Sequence, residues 1–442
     1  MSGEANGGTS SGDAGSAGGA PARHEVVVVG GGLVGLSCAW FLAEAGVEVA
    51  LLERGRVGGG ASRGNAGLVC PALADPLPAP GLVRHGLAGL LRADSPLYLD
   101  PRALPRLAAF LARFARRTTP GAYAAGVAAL AQLGRMTFGA YDELAAAGAL
   151  GESHDDGYLF ACATRGSATA ARNGLVRMAD QGYAAPPGPL LEADELRRLE
   201  PSLSAAAQAG FVQPGERWLD PSGFVDALAT RLRERGVAII EQAEVTGLRD
   251  DGPSVSLETS AGPTEAGQVV IASGVWSDRL CRMLGLRLGL VPGKGYSFAV
   301  EPAVMPARAI YLADAHVVAT PIGDRLRLAG TIEFDGSVDR FNDRRVRAIA
   351  GAASRYLSGI DWQQRTAEWV GPRPMTPDGL PMIGRLPGRS RVLVAAGHNM
   401  LGLTLAPSTG RVIAALVTGR APGIDLAPFA PGRFAHWWSG WR

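Results

Sequence analysis

The 442-residue sequence contains a single lysine, only four cysteines and no long hydrophobic run. No uninterrupted apolar segment reaches the roughly 18 residues that a membrane-spanning helix needs, which argues against an integral membrane protein. The cysteines are scattered, with no C-x-x-C pair and no histidine at ligand spacing, so neither a disulfide framework nor a metal site is expected. This cysteine usage favours a reducing, cytoplasmic compartment.

Neither sign of charge is in excess, because 43 Lys and Arg residues stand against 41 Asp and Glu residues, a formal net charge of +2. Nucleic acid is therefore not expected as a partner, since duplex binding normally needs a concentrated basic surface. Hydrophobic residues make up 47% of the chain and charged residues 19%, which excludes a largely disordered protein. A chain of this length has enough residues for two or three domains.

The distribution of patterns along the chain predicts two domains that interleave in sequence. Residues 1–22 lack Val, Ile, Leu and aromatic residues and are predicted to be a disordered tail. Buried-strand and helix patterns at the start, middle and end of the chain predict an α/β domain, whereas alternating apolar and polar residues over 291–334 predict an α+β domain with an antiparallel sheet. The predicted segments are 24–100, 219–290 and 362–434 for the first domain, and 101–218 and 291–361 for the second.

A glycine-rich turn near the start of the folded chain predicts a dinucleotide site in a Rossmann-like domain. The apolar run 25–29 leads into Gly30, Gly32 and Gly35 at G-x-G-x-x-G spacing, and a helical pattern and a second strand follow. Gly30 permits the tight turn, Gly32 lets the backbone approach the pyrophosphate, and Gly35 allows close helix–strand contact. Glu53 ends the second strand, where an acid binds ribose hydroxyls and disfavours NADP. Leu33 and Val34 complete the predicted turn, and Ala272, Gly274 and Trp276 follow a later buried strand as a predicted second contact to the same ligand.

Four further motifs resemble a known family of flavoproteins. They are Ser62-x-x-Asn65-Ala66-Gly67, VPGKGYS at 291–297, GPRPMTPDGLPMIG at 371–384 and GHNMLGLTLAP at 397–407. Together with the glycine turn they resemble the D-amino acid oxidase superfamily, and bacterial D-amino acid dehydrogenases in particular. The resemblance covers nearly all of 24–430.

This resemblance implies FAD as the cofactor and assigns residues to it. Glu53 and Arg54 would hold the adenosine, Val245 would meet adenine through its backbone, and Ser62, Asn65, Ala66 and Gly67 would line the path from pyrophosphate to flavin. Gly397, Met400, Leu401, Gly402, Leu403 and Thr404 would surround the isoalloxazine edge. A helix beginning near residue 405 would independently stabilise negative charge there.

The same resemblance implies three residues for the substrate. Arg373 would bind a carboxylate, for which the two parallel donors of a guanidinium are suited, although an ion-paired surface arginine is the alternative. Tyr296 would assist this binding, or is simply a packed tyrosine with a satisfied hydroxyl. His398 would act as an acid or base, or is a structural histidine.

The implied activity is oxidation of a small D-amino acid to a 2-oxo acid and ammonia, by hydride transfer to the flavin. A secondary amine such as D-hydroxyproline, sarcosine or glycine is the alternative substrate, and a non-catalytic dinucleotide-binding protein is the alternative class. The electron acceptor would be a quinone of the respiratory chain or oxygen. Two segments could contact the inner face of the membrane: the helical segment around 101–117 and the tryptophan-rich C-terminus. The alternative is that both pack onto the protein itself.

Overall fold

The computed structural model describes residues 21–81, 92, 95–182 and 184–434. Nearly all of the predicted disordered tail lies outside these residues. The first strand begins at Ala22, whose backbone pairs with Thr264 of a parallel neighbour. The predicted end of the tail at residue 22 is therefore corrected, because backbone pairing with the neighbouring strand orders Ala22 although its side chain is only a methyl group.

The strands and helices follow one another along the described part of the chain. The strands are β1 (Ala22–Val29), β2 (Val49–Leu52), β3 (Leu68–Val69), β4 (Leu97–Leu99), β5 (Ser153–His154), β6 (Tyr158–Cys162), β7 (Leu191–Glu192), β8 (Ala209–Gln213), β9 (Arg217–Leu219), β10 (Ala238–Ile240), β11 (Val245–Arg249), β12 (Val255–Thr259), β13 (Thr264–Ile271), β14 (Val291–Val300), β15 (Ile310–Leu312), β16 (Val317–Ile322), β17 (Arg325–Phe334), β18 (Thr366–Met375), β19 (Met382–Leu386) and β20 (Arg389–Ala396). The helices are α1 (Leu33–Glu44), α2 (Leu104–Arg116), α3 (Pro120–Ala146), α4 (Arg165–Ala179), α5 (Ala193–Leu199), α6 (Pro221–Glu234), α7 (Ser277–Met283), α8 (Asp343–Ala353) and α9 (Gly402–Val417).

The first sheet is the predicted α/β sheet. In it β10, β2, β1, β13 and β20 are parallel neighbours, and β12, β11 and β19 extend it with antiparallel pairs. Its central strands carry continuous apolar runs, such as Val26–Val29, because helices and loops cover both faces. Helices α1 and α9 pack against each other beside this sheet. The predicted β1–α1–β2 unit is confirmed.

The second sheet is mostly antiparallel and has the order β18, β14, β17, β16, β15, β6, β8, β7 in the described part of the chain, with β4 beside β17. Two predicted domain boundaries differ from this pairing. Residues 97–99 and 366–375 were assigned to the first domain, but β4 pairs with β17 and β18 pairs with β14. Both strands join the second sheet because their partners supply the hydrogen bonds and the apolar face, which a local pattern does not reveal.

Helix α2 bears on the predicted membrane contact. Its Leu107 and Phe110 are buried, and the Phe110 ring lies 6.2 Å from that of Phe334 at the end of β17. These two side chains therefore pack onto the protein, which is the alternative to membrane contact given above. The tryptophans of the C-terminal segment lie outside the described residues. Within the described residues, no helix is both long enough and apolar enough to span a bilayer.

Candidate cofactor and substrate site

A cavity of about 850 Å³ is lined by residues from both main sheets and from the loops at their ends. It brings together residues that are far apart in sequence, from Gly30 to Thr404. All the predicted site residues line it except Gly35, Gly67 and Gly397. A cavity of this size is typical of sites for cofactors and small-molecule substrates.

The glycine turn shapes one end of the cavity. Gly30 has a φ of +115°, and a Cβ atom there would lie 2.7 Å from the carbonyl oxygen of Ala272, so only glycine fits. A Cβ atom at Gly35 would lie 1.8 Å from the carbonyl oxygen of Gly30. Gly35 therefore serves the contact between α1 and the turn and does not face the cavity.

Gly32 differs from these two glycines, because its φ of −75° suits any residue. The only atom within 4 Å of a Cβ built there is Ser62 Oγ, at 3.2 Å. A side chain at this position would project into the cavity, where a pyrophosphate would lie against the backbone. The space beside Gly32 therefore fits a dinucleotide.

Two helices begin at the cavity. Gly32, Leu33 and Val34 at the start of α1 line it, and so do Gly402, Leu403 and Thr404 at the start of α9. Neither helix has an acidic residue in its first turn, and the N-cap residues, Gly32 and Leu401, have no side chain that could accept a hydrogen bond from the first turn. The positive ends of both helix dipoles are thus directed at the same space, which favours an anionic ligand. Helix α9 begins at Gly402, a few residues before the predicted start.

The carboxylate of Glu53 is held at the end of β2 by backbone N–H groups. The amide of Gly31 donates to Oε2 at 2.7 Å, and the amide of Gly55 donates to Oε1 at 2.9 Å. The same region contains Val245 and a cation–π pair in which the guanidinium of Arg54 lies 3.7 Å from the centroid of Trp276. An acid fixed beside a flat apolar wall suits the ribose and adenine of a dinucleotide.

Residues 62–67 are fixed between the two sheets. Ser62 Oγ accepts a hydrogen bond from the amide of Leu33 at 3.0 Å, which ties this loop to the start of α1. Thr320 Oγ1 donates to the carbonyl of Ala66 at 2.6 Å. Gly67 has a φ of +88°, and its amide donates to Asn65 Oδ1 at 2.9 Å. The loop is therefore a rigid wall of the cavity, in which Gly67 provides the turn.

The C-terminal loop provides the opposite wall. Gly397 has a φ of +73° and turns the chain out of β20, while its carbonyl accepts a hydrogen bond from Asn399 Nδ2 at 2.9 Å. His398 is buried, and its Nε2 lies 2.9 Å from Thr409 Oγ1. Burial lowers the pKa of His398 to about 4, so its imidazole is neutral near pH 7. In this state His398 is a structural neighbour of α9, and its predicted acid–base role stays a prediction.

Arg373 is a cation for which the described residues provide no anionic partner. Its Nη1 donates to the carbonyl of Thr331 at 2.7 Å, and no carboxylate in the described part of the chain forms an ion pair with it. Burial lowers its pKa to about 10, which leaves the guanidinium charged at neutral pH. The group fits here because Gly295 lacks a side chain, and a Cβ atom there would lie 2.4 Å from Arg373 Cζ. A charge this deep in a protein needs an anion, and the cavity is where one would bind.

The hydroxyl of Tyr296 is already engaged. It donates to Glu333 Oε2, and burial together with this carboxylate raises the pKa of the phenol. Lys294, fully buried, reaches the same group, with Nζ 3.0 Å from Glu333 Oε2 and 2.8 Å from Asp335 Oδ2. The ring of Tyr296 lines the cavity, and its predicted contact with a substrate carboxylate stays a prediction.

Several lining residues escaped the sequence analysis. Trp369 lies two residues before Gly371 and four before Arg373 on β18, so strand alternation could have identified it. A Cβ atom at Gly64 would lie 2.0 Å from its ring, which therefore covers the residue 62–67 loop. Asp75, Tyr311 and His316 also line the cavity, but no local motif marks them.

The described residues contain no group of three His, Cys, Asp or Glu side chains placed to hold a metal ion. All four cysteines are buried and free. Burial raises the pKa of Cys70, which lines the cavity, to about 12, so it remains a thiol. The chemistry of the site therefore rests on its cation, its carboxylates and the ligand bound by the helix ends.

Comparison with known proteins identifies the family. The model of the DAO family, described as FAD dependent oxidoreductase, matches residues 25–416. A D-amino acid dehydrogenase of Cereibacter sphaeroides is 32% identical over 418 residues, covering 92% of this chain and 95% of the relative. A D-amino acid dehydrogenase of Methylobacterium nodulans is 34% identical over 422 residues, covering 92% and 99%.

Among solved structures, glycine oxidase from Geobacillus kaustophilus superposes with a TM-score of 0.69 at 28% identity, covering 93% of this chain and 99% of that one. These matches confirm the family resemblance, the α/β fold class and FAD as the cofactor. With the fold, the cavity and the glycine turn in agreement, this chain belongs to the DAO family of FAD-dependent oxidoreductases.

Proposed function

We propose that this enzyme oxidises the Cα–N bond of a D-amino acid to the imine, which water then hydrolyses to a 2-oxo acid and ammonia. The observation that carries the proposal is Arg373, a guanidinium without an ion pair among the described residues, in the cavity that also contains the cofactor-binding elements. Relatives that cover nearly the whole chain are named D-amino acid dehydrogenases, which supports this substrate class. Bound FAD supplies the acceptor for the hydride.

The residues of the chain bind and orient the substrate. The guanidinium of Arg373 donates two parallel hydrogen bonds to the α-carboxylate and balances its charge. Thr331 fixes the guanidinium through its carbonyl, and Gly295 leaves room for it. The apolar walls of the cavity exclude water and so favour the neutral amine. No general base among the described residues is required at Cα, because the hydrogen leaves with its electron pair.

The experiment compares an amino acid with its decarboxylated amine. Flavin absorbance is followed anaerobically with D-alanine or ethylamine for wild type, Arg373→Ala and Arg373→Lys. Loss of the buried pair should weaken amino acid binding by about 3–5 kcal/mol, and lysine should restore part of it because it keeps the charge but loses the fork. Ethylamine should react equally poorly with all three enzymes.

Arg347→Ala, in the exposed part of α8, provides the control, because its side chain is 61% exposed. Equal and small effects of Arg373→Ala on both compounds would remove Arg373 from the site and reopen the secondary-amine alternative. FAD content is measured in every variant, since the glycine turn and the start of α9 hold the cofactor independently of Arg373.

The electron acceptor is proposed to be a quinone of the respiratory chain, with oxygen as the alternative. The dehydrogenase names of the relatives support this choice. Oxygen consumption measured against reduction of a soluble quinone distinguishes the two acceptors. Contact with the inner face of the membrane would serve the quinone route, but α2 lends it no support because Leu107 and Phe110 are buried.

A further inference from the structure

One end of the cavity carries polar side chains that the proposed reaction does not use. Asp75 follows the short turn Pro71–Leu73, Tyr311 lies in the middle of β15, and His316 lies just before β16. All three line the same cavity as Arg373. Asp75, Tyr311 and His316 together define the distal end of the cavity.

Asp75 is a carboxylate with no cation beside it in the described part of the chain. Its Oδ2 accepts a hydrogen bond from the hydroxyl of Tyr123 at 2.9 Å, and no ion pair to it occurs among the residues that the structure describes. The residue is half-buried, and its exposed part faces the cavity. Burial raises the pKa of Asp75, as expected for a carboxyl group that lacks a positive neighbour.

The other two groups of the distal end carry no positive charge. The hydroxyl of Tyr311 lies 3.4 Å from His316 Nδ1. Burial, assisted by the charge of Asp75, raises the pKa of Tyr311 to about 12, so the phenol stays neutral. Burial also lowers the pKa of His316 despite the nearby carboxylate of Asp314, so the imidazole is neutral at pH 7. The distal end therefore offers hydrogen-bond acceptors and a carboxyl group, and none of its three residues carries a positive charge.

The register of the second sheet places this end at the far side of the substrate space from Arg373. Arg373 is hydrogen-bonded to Thr331 in β17. Two residues earlier in β17, Ala329 pairs with Val318 in β16. Val318 in turn pairs with Tyr311 in β15. Two strand spacings separate β17 from β15, or roughly 10 Å. A lysine side chain reaches about 6 Å from its Cα atom to Nζ. The substrate carboxylate and the guanidinium of Arg373 make up the rest of the distance between the strands.

We propose that the distal end binds a substrate side chain that ends in a cation, so that basic D-amino acids are the preferred substrates. Arg373 takes the α-carboxylate, and Asp75 takes the ammonium or guanidinium group at the other end. The hydroxyl oxygen of Tyr311 accepts one of the remaining N–H groups, and His316 Nε2 accepts another in the tautomer whose Nδ1–H donates to Tyr311. A lysine ammonium has three N–H groups and an arginine guanidinium five. The inference rests on the proposed function and adds the side chain that it leaves open.

The experiment measures kcat/KM for D-lysine, D-arginine and D-norleucine, from the rate at which a quinone acceptor is reduced. D-Norleucine has the four-carbon side chain of lysine without the terminal ammonium group. Wild type should prefer the two basic substrates. Asp75→Asn keeps the shape and removes the charge, so it should lower the ratio of D-lysine to D-norleucine about 10- to 100-fold, with little change for D-norleucine. Asp75→Glu should retain part of the preference.

Asp324→Asn, whose side chain is 90% exposed in the turn between β16 and β17, is the matched control and should leave the ratio unchanged. A wild-type preference for D-norleucine, which requires no variant, would overturn the inference while leaving the proposed function intact. An equal loss on both substrates in Asp75→Asn would overturn it too, because the carboxylate would then serve only the fold. If no D-amino acid reduces the flavin, the proposed function fails first.

Discussion

Glu216 is a buried carboxyl group whose ionisation should weaken the folded protein. It follows β8 and is fully buried, and its Oε1 accepts a hydrogen bond from the amide of Ala72 at 3.3 Å. Its Oε2 has no hydrogen-bond partner among the residues that the structure describes. Burial raises the pKa of Glu216 to about 8 from an ordinary value of 4.5. The substitution Glu216→Gln removes the titration and keeps the shape.

The direction of the pH effect on stability follows from which state of the protein holds the proton. Between pH 4.5 and pH 8 the folded protein holds a proton on Glu216 that the unfolded chain has lost, so the free energy of unfolding falls as the pH rises through this window. At about 1.4 kcal/mol per pH unit, the full loss is about 5 kcal/mol and is complete above pH 8. For a chain of 442 residues that unfolds cooperatively, this corresponds to a shift in Tm of about 5 °C.

The assay is the Tm of wild type and Glu216→Gln from pH 5 to pH 9, at constant ionic strength and full FAD occupancy. The two proteins should melt at similar temperatures at pH 5, and the variant should be the more stable by several degrees at pH 9. Glu301→Gln is the control, because Glu301 is 70% exposed and paired with Arg325 at the surface. A difference between wild type and Glu216→Gln that does not change with pH would refute the reasoning.

Three other predictions concern the site. Gly32→Val should fold, since the φ of −75° at Gly32 suits valine, but its side chain should fill the pyrophosphate space and yield largely apo protein, measured as flavin per chain. Gly295→Ala should displace the guanidinium of Arg373, which is 2.4 Å from the new Cβ atom, and raise KM for the amino acid at least tenfold at unchanged FAD content; an unchanged KM would contradict this role. Because the pKa of His398 is about 4, His398 should not titrate near pH 6.5. Wild type and His398→Asn should therefore have pH profiles of kcat with the same shape around pH 6.5, and a step there that the variant loses would contradict this.

Local sequence signals were sufficient for the β1–α1–β2 unit of the first sheet. The run 25–29, the glycine turn and the acid at Glu53 each determine their own structure, because a buried strand, a tight turn and a helix start depend on neighbouring residues. Asp220 follows the same rule, because an aspartate directly before a proline is typical of a helix start, and its side chain accepts hydrogen bonds from the amides of Ser222 and Gly223.

The second sheet and the distal end were less accessible to prediction. Strands β4 and β18 are placed by partners that lie far away in sequence, so the predicted domain boundaries crossed them. Asp75 looks like any loop aspartate in the sequence. Its importance arises only when folding brings it beside Tyr311, about 236 positions further on, with no cation next to it among the residues that the structure describes. The engagement of Tyr296 by Glu333 depends on the pairing of β14 with β17 in the same way.

Lys294 has a practical consequence for labelling this protein. It is the only lysine of the chain, and in the folded protein it is fully buried between Glu333 and Asp335. Apart from the amino terminus, the folded chain therefore presents no primary amine to succinimidyl esters, aldehydes or amine-directed crosslinkers. Unfolding exposes Lys294, so the appearance of a second acylated amine in a mass spectrum would report the opening of the second sheet, without any engineered probe.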